Sequence, residues 1–123
     1  MDTLAPAVIA YLGRQPLGRL ATAGVDGRPH VVPVSFRYNA EFGTIDSGGF
    51  HVDTTKRFRD VQANPWAALV VDDLVSTDPW TPRMVEIRGR AEALTSGGAV
   101  LRPGFGEAMI RIHPDRVNVF GID

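Results

Sequence analysis

The run MVEIRGRAEAL, residues 84–94, alternates strictly: Val85, Ile87, Gly89 and Ala91 fall on one face, Met84, Glu86, Arg88 and Arg90 on the other. A period of two is the repeat of a pleated strand with one face buried; on a helix the same residues would be scattered around the axis. The pattern recurs down the chain in short runs bounded by turn formers. LGRLATA (17–23) reads as a strand, and Asp26-Gly27 in GVDGRP (24–29) is a strong hairpin signal. HVVPVSFRYN (30–39) sets His30, Val32, Val34, Phe36 and Tyr38 against Val31, Pro33, Ser35 and Arg37. Pro33 cannot donate to a ladder, so this strand has an edge or a bulge near its middle.

GTIDSGG (43–49) is a short strand, and WAALVVDD (66–73), a continuous apolar run between breakers, is a buried one. LVSTDPWTPR (74–83), with its two prolines, reads as a loop, as does the glycine-rich segment Thr95–Gly106. AMIRIHPDRVNVFGID (108–123) gives two last strands broken at His113-Pro114. Thr3 or Asp2 caps a first helix whose apolar face is Val8, Ile9 and Leu12 and which Gly13 ends. A second helix carries Phe58 and Val61 and stops at Asn64-Pro65. Six or seven short, hairpin-connected strands predict an antiparallel barrel, mainly β with a few short helices, as one domain over residues 1–123.

Charge narrows the partners. The formal net charge is −1 and the isoelectric point about 6.3, which provides no overall field toward DNA or an anionic membrane. We therefore expect neither a nucleic-acid nor a membrane partner. The apolar run Leu4–Leu12 is too short to span a bilayer and has no basic leader, so a cytoplasmic protein is expected. With no cysteine, disulfides and zinc–thiolate sites are excluded.

The familiar catalytic motifs are missing. There is no GxSxG elbow and no Walker loop. Gly104-Phe105-Gly106 does not extend to a dinucleotide fingerprint. His30, His51 and His113 have no metal-ligand spacing, and Asp72-Asp73 read as solvated or paired with arginines. No metal site, nucleophile or acid/base pair is expected.

What remains is HVDTTKRFRDV, residues 51–61, which holds the chain's one lysine, Lys56, beside Arg57 and Arg59. A helix N-terminus already carries partial positive charge and unpaired N–H groups, so acidic residues belong in its first turn. Cations there cost about 0.3–1 kcal/mol unless an anion sits with them. A phosphate would meet backbone N–H groups, a Thr55 hydroxyl and two cationic side chains together. The competing reading is an ordinary helix ion pair of Asp60 with Lys56 or Arg57, worth about 0.2–0.5 kcal/mol.

The ordered set LATAGVDGRPHVVPVSF, TIDSGG, TTKRFRDVQANPWAALVVDD, DPWTPRMVEIRGRAEAL and IRIHPDRVNVFGID, covering Leu17–Asp123, resembles the split-barrel flavin-binding superfamily. That superfamily includes pyridoxamine 5′-phosphate oxidase and the deazaflavin (F420) branch typical of actinobacteria, which the chain resembles most. The resemblance implies a six-stranded Greek-key split β-barrel and a homodimer with cofactor sites at its interface. It implies that Thr55, Lys56 and Arg57 hold the cofactor phosphate and that Val32, Pro33 and Val34 lie along the ring. By the same token Asp46, Ser47 and Gly48 form the strand end beside the ring, and Pro79, Trp80 and Arg83 reach the site from the partner subunit. Trp80 reads equally as an ordinary dimer-interface aromatic. The implied activity is hydride transfer from reduced F420 to a small, conjugated, electron-poor substrate. The alternatives are an FMN-binding oxidase-like protein and a non-catalytic flavin- or haem-type binder.

Overall fold

The computed structural model describes residues 4–122, in which a seven-stranded antiparallel sheet carries two helices. The strands are β1 (Gly18–Ala23), β2 (Pro29–Val34), β3 (Arg37–Asn39), β4 (Thr44–Ser47), β5 (Trp66–Thr77), β6 (Trp80–Leu94) and β7 (Met109–Phe120). Their spatial order is β2-β1-β5-β6-β7-β4-β3. The expected strand count of six is corrected to seven. The run 30–39 is two strands: β2 pairs with β1 at one edge of the sheet, and β3 pairs with β4 at the other.

Only Ser35 and Phe36 separate these two edges in the chain. Three peptide units span at most about 11 Å, so the edges of the sheet must curl toward each other. That is a barrel split between β2 and β3. Pro33 lies on the edge strand β2, where a missing N–H leaves no ladder position empty.

Two further expectations are corrected. Residues 74–83 are not a loop: β5 and β6 continue as one long hairpin, turning at Asp78-Pro79 with a cis peptide bond. A register shift between Leu74 and Ser76 absorbs one residue, and Pro82 is accommodated opposite Leu74 beside it. Nor is the last strand broken at His113-Pro114. The register shifts opposite Arg88 and Gly89, and Pro114 pairs with Gly89 inside a continuous β7. A Cβ on Gly89 would lie 1.8 Å from the His113 carbonyl oxygen, so only glycine lets the bulged backbone come this close.

Alternation in β6 is as the sequence reads: Val85, Ile87 and Ala91 are buried, while Arg88 and Arg90 are exposed. The buried side joins Leu20, Ile45, Leu69, Val71, Ile110 and Ile112 in a single core. Helix α1 (Pro6–Gly13) starts with proline at its first position and buries Val8, Tyr11 and Leu12. The expected caps Thr3 and Asp2 lie outside the described residues. Helix α2 (Lys56–Ala63) lies against β1 and β6 and buries Phe58, Asp60 and Val61. Among the described residues, no helix is long and apolar enough to cross a membrane.

Candidate functional site

The start of α2 is where the chain concentrates positive charge, and its geometry separates the two leading cations. Thr55 caps the helix: its hydroxyl oxygen accepts the Phe58 N–H at 3.3 Å and its hydroxyl donates to the Val52 carbonyl. Lys56, half exposed, turns toward β1 and places Nζ 2.9 Å from Asp60 Oδ1. The Thr22 hydroxyl on β1 donates to the other carboxylate oxygen at 2.9 Å. Burial alone would push the Asp60 carboxyl up; the hydrogen bonds from Lys56 and Thr22 outweigh it and hold the carboxyl below its ordinary range.

Arg57 turns the other way, toward the end of β4. A Cβ on Gly49 would lie 3.4 Å from Arg57 Nη2. The guanidinium Nε is buried and has no hydrogen-bond partner among the described residues, and burial lowers the affinity of the group for its proton. An orphaned buried donor is costly and uncommon in a settled structure. The helix ion pair that the sequence allows is therefore formed by Lys56, while Arg57, the other candidate for it, keeps open hydrogen-bonding capacity. The expected phosphate contact from the Thr55 hydroxyl is not available, because its proton is given to the Val52 carbonyl; what fits a phosphate is the helix start itself and a guanidinium with an unmet N–H.

The β4 end adjoins this point. The Ser47 hydroxyl donates to the Ser35 carbonyl at 2.8 Å, tying β4 to the crossing between β2 and β3. Val34 is buried and Val32 partly so, with Pro33 exposed between them. The room left by Gly48 is filled by Phe105, whose Cδ2 would lie 2.8 Å from a Cβ there, and by Leu101. A small cavity of about 50 Å³ opens beside them, lined in part by Phe36, Arg37 and Arg102. Asp46 is saturated. Burial pushes its carboxyl up, but hydrogen bonds from Arg111, Asn39 and Thr44 together hold it below the usual carboxylate range.

Thr55, Arg57, Ser47 and Gly48 are thus brought to one region, and Ser47 links it to β2. Pro79, Trp80 and Arg83 are not joined to α2. Trp80 sits 71 % exposed at the start of β6, just past the hairpin turn. Arg83 is engaged with Asp73 through two hydrogen bonds, at 2.6 and 3.0 Å, and its guanidinium lies 5.0 Å from the centre of the Tyr11 ring. Around this hairpin lies an open, mainly apolar groove of about 600 Å³ lined by Val70, Leu74, Trp80, Pro82 and Met84. Sequence reasoning missed Thr22 and Phe105 as neighbours of the site. Both reach it by tertiary folding, and neither sits in a motif that could have announced it.

A seven-stranded antiparallel sheet split between β2 and β3, with a basic helix start beside a glycine-bearing strand end, defines a split β-barrel. The chain belongs to the pyridoxamine 5′-phosphate oxidase family, whose model matches residues 4–118. It is 47% identical over 115 residues, 94% of this chain and 81% of the relative, to a 5a,11a-dehydrotetracycline/5a,11a-dehydrooxytetracycline reductase of Streptomyces rimosus. Solved structures share the fold at lower identity. HupZ of Group A Streptococcus superposes with a TM-score of 0.77 at 18% identity, covering 97% of this chain and 95% of that one. A FAD-binding protein of Mesorhizobium loti gives 0.68 at 23% identity, covering 96% and 95%.

Proposed function

We propose that the protein is an oxidoreductase that uses reduced F420 to reduce a small, conjugated, electron-poor substrate, as a homodimer with cofactor sites at its interface. The relationship to a reductase at 47% identity supports the reaction class. The observation in this chain that carries the cofactor reading is Arg57, whose buried Nε is left without a partner where a phosphate fits. When bound, reduced deazaflavin supplies the hydride.

The chain's own part is positional. Arg57 and the first N–H groups of α2 hold the phosphate end, with Thr55 fixing the helix start as its cap. The β4 end at Ser47 and Gly48, backed by Phe105, forms a wall for the ring, with Val32, Pro33 and Val34 along the neighbouring edge. The apolar groove beside Trp80 excludes water from a stacked acceptor and is completed by the second subunit. Binding orientation of this kind lowers a barrier without a protein nucleophile, and none is needed here.

The test is fluorescence titration of the purified protein with F420 and with FMN, beside the Arg57→Ala variant. Turnover of reduced F420 is then followed with a conjugated polycyclic enone as acceptor. F420 binding weakened at least tenfold in Arg57→Ala, together with acceptor-dependent reoxidation, is the expected result. Tighter binding of FMN than of F420 would move the protein to the flavin-dependent side of the family. Binding without reoxidation by any acceptor would make it a carrier.

A further inference from the structure

We propose that Asp60 determines which phosphate the site accepts, by cancelling the charge of Lys56 and so favouring a singly charged phosphodiester over a nearly doubly charged phosphomonoester. The inference rests on the cofactor reading above and deepens it, because F420 carries a phosphodiester and FMN a phosphomonoester.

The geometry is that of a fixed pair. Lys56 Nζ is 2.9 Å from Asp60 Oδ1. The Asp60 side chain is only 5% exposed, and the Thr22 hydroxyl holds its second oxygen at 2.9 Å. Gly24 packs directly on the carboxylate, with Oδ1 2.6 Å from where a Cβ would stand. Asp60 therefore has no room to swing away when a ligand arrives, and Lys56 stays balanced.

Arg57 has no carboxylate partner among the described residues and is the cation left over. Arg59 and Asp53 flank the helix start on its exposed side, where solvent screens both charges, and Arg59 Nη1 donates to the Thr54 carbonyl at 3.1 Å. With Lys56 balanced by Asp60, the helix start presents one cation fewer, and that loss weighs more on a monoester, at about −1.5 to −2 near neutrality, than on a diester at −1. In a partly buried site a difference of that kind is worth on the order of tenfold in affinity.

The experiment is titration of F420 and FMN, each followed by fluorescence, on wild type and four variants. Asp60→Asn keeps the shape of the side chain and frees Lys56; the affinity ratio should shift toward FMN by about tenfold. The double variant Lys56→Met/Asp60→Asn removes both charges and should return the ratio to the wild-type value. Should Asp60→Asn fail to fold, surface-lying Lys56→Met serves alone: Asp60 is then unbalanced, and the ratio should shift further toward F420. A ratio unmoved in every folded variant, with Arg57→Ala weakening both ligands, overturns the role of Asp60 and leaves the phosphate site standing. If Arg57→Ala moves neither affinity, the cofactor reading itself fails.

Discussion

Asp46 accepts four hydrogen bonds, two from Arg111 and one each from Asn39 and Thr44, while being almost wholly buried. Arg111 also lies 4.6 Å from the centre of the Phe42 ring, so β7, β4 and the turn after β3 meet on one guanidinium. Removing the cation leaves a buried carboxylate uncompensated. Arg111→Ala should therefore lose about 3–5 kcal/mol in urea unfolding, and a loss under 1 kcal/mol would mean that water replaces the arginine at little cost. Asp73 makes a second such knot with Arg83, the Tyr11 hydroxyl and Gln15, and its carboxyl is held down to about 2, first by the hydrogen bond from Arg83. A depressed folded value means that the folded state resists protonation. The stabilisation is complete above the unfolded value near 3.9 and is lost as pH falls toward about 2. The melting temperature of wild type should accordingly drop between about pH 5 and pH 2, and Asp73→Asn should flatten that drop. An unchanged acid limb would leave the fall to Asp46 and Asp60. Pairing of Asp72 and Asp73 with arginines was one of the two readings, solvated or paired, that their charge allowed, and the structure shows both paired. The opposite headings of Lys56 and Arg57 were not legible, because adjacent helical residues point about 100° apart and only the surrounding strands decide what each one meets.

At the scale of elements, alternation carried most of the fold. β2 and the 84–94 stretch of β6 stand where a period of two placed them, β1 stands where its run between breakers did, and Asp26-Gly27 turns the first hairpin with Gly27 at φ +74°. The sequence misled where proline was taken for a loop or an end: Pro82 and Pro114 sit within strands, each next to a register shift, whereas Pro33 lies on an edge strand as its missing N–H led us to expect. The compensating residue for Pro114 is Gly89, on the neighbouring strand and remote in sequence, so no local pattern could reveal the arrangement. This makes Gly89 a sharp test. Gly89→Ala puts a methyl into the His113 carbonyl, and because the obstacle is backbone, the β6–β7 ladder must shift. A loss of about 3 kcal/mol is expected, measured by urea denaturation, with faster amide exchange concentrated in β6 and β7. Pro114→Ala in the same background should not restore it, since the clash is with the carbonyl of residue 113; restoration would mean that the proline ring, rather than the bulge, sets the close approach.

For the molecule as a whole, the two faces of the sheet are unequal. One face is closed over a single core with α1 and α2. Elsewhere the sheet exposes the large apolar residues Val31, Leu74, Val75 and Trp80, and of these Leu74 and Trp80 line the groove of the β5–β6 hairpin. An apolar surface of this kind, rimmed by the Arg19–Asp72 pair, is the sort that proteins bury against a partner. The homodimer proposed above would cover it with the same face of a second copy. Sedimentation should then give a dimer at micromolar concentration. Leu74→Asp puts an unpaired charge at the centre of the covered groove, while in the isolated chain it only exchanges one exposed side chain for another. It should split the dimer, leave the melting of the monomer within about 0.5 kcal/mol of an uncharged Leu74→Ala control, and weaken F420 binding in step with dissociation. The last point is decisive. A monomeric Leu74→Asp protein that binds F420 with unchanged affinity would mean that the start of α2 and the end of β4 suffice within one chain, and that Pro79, Trp80 and Arg83 serve only the interface.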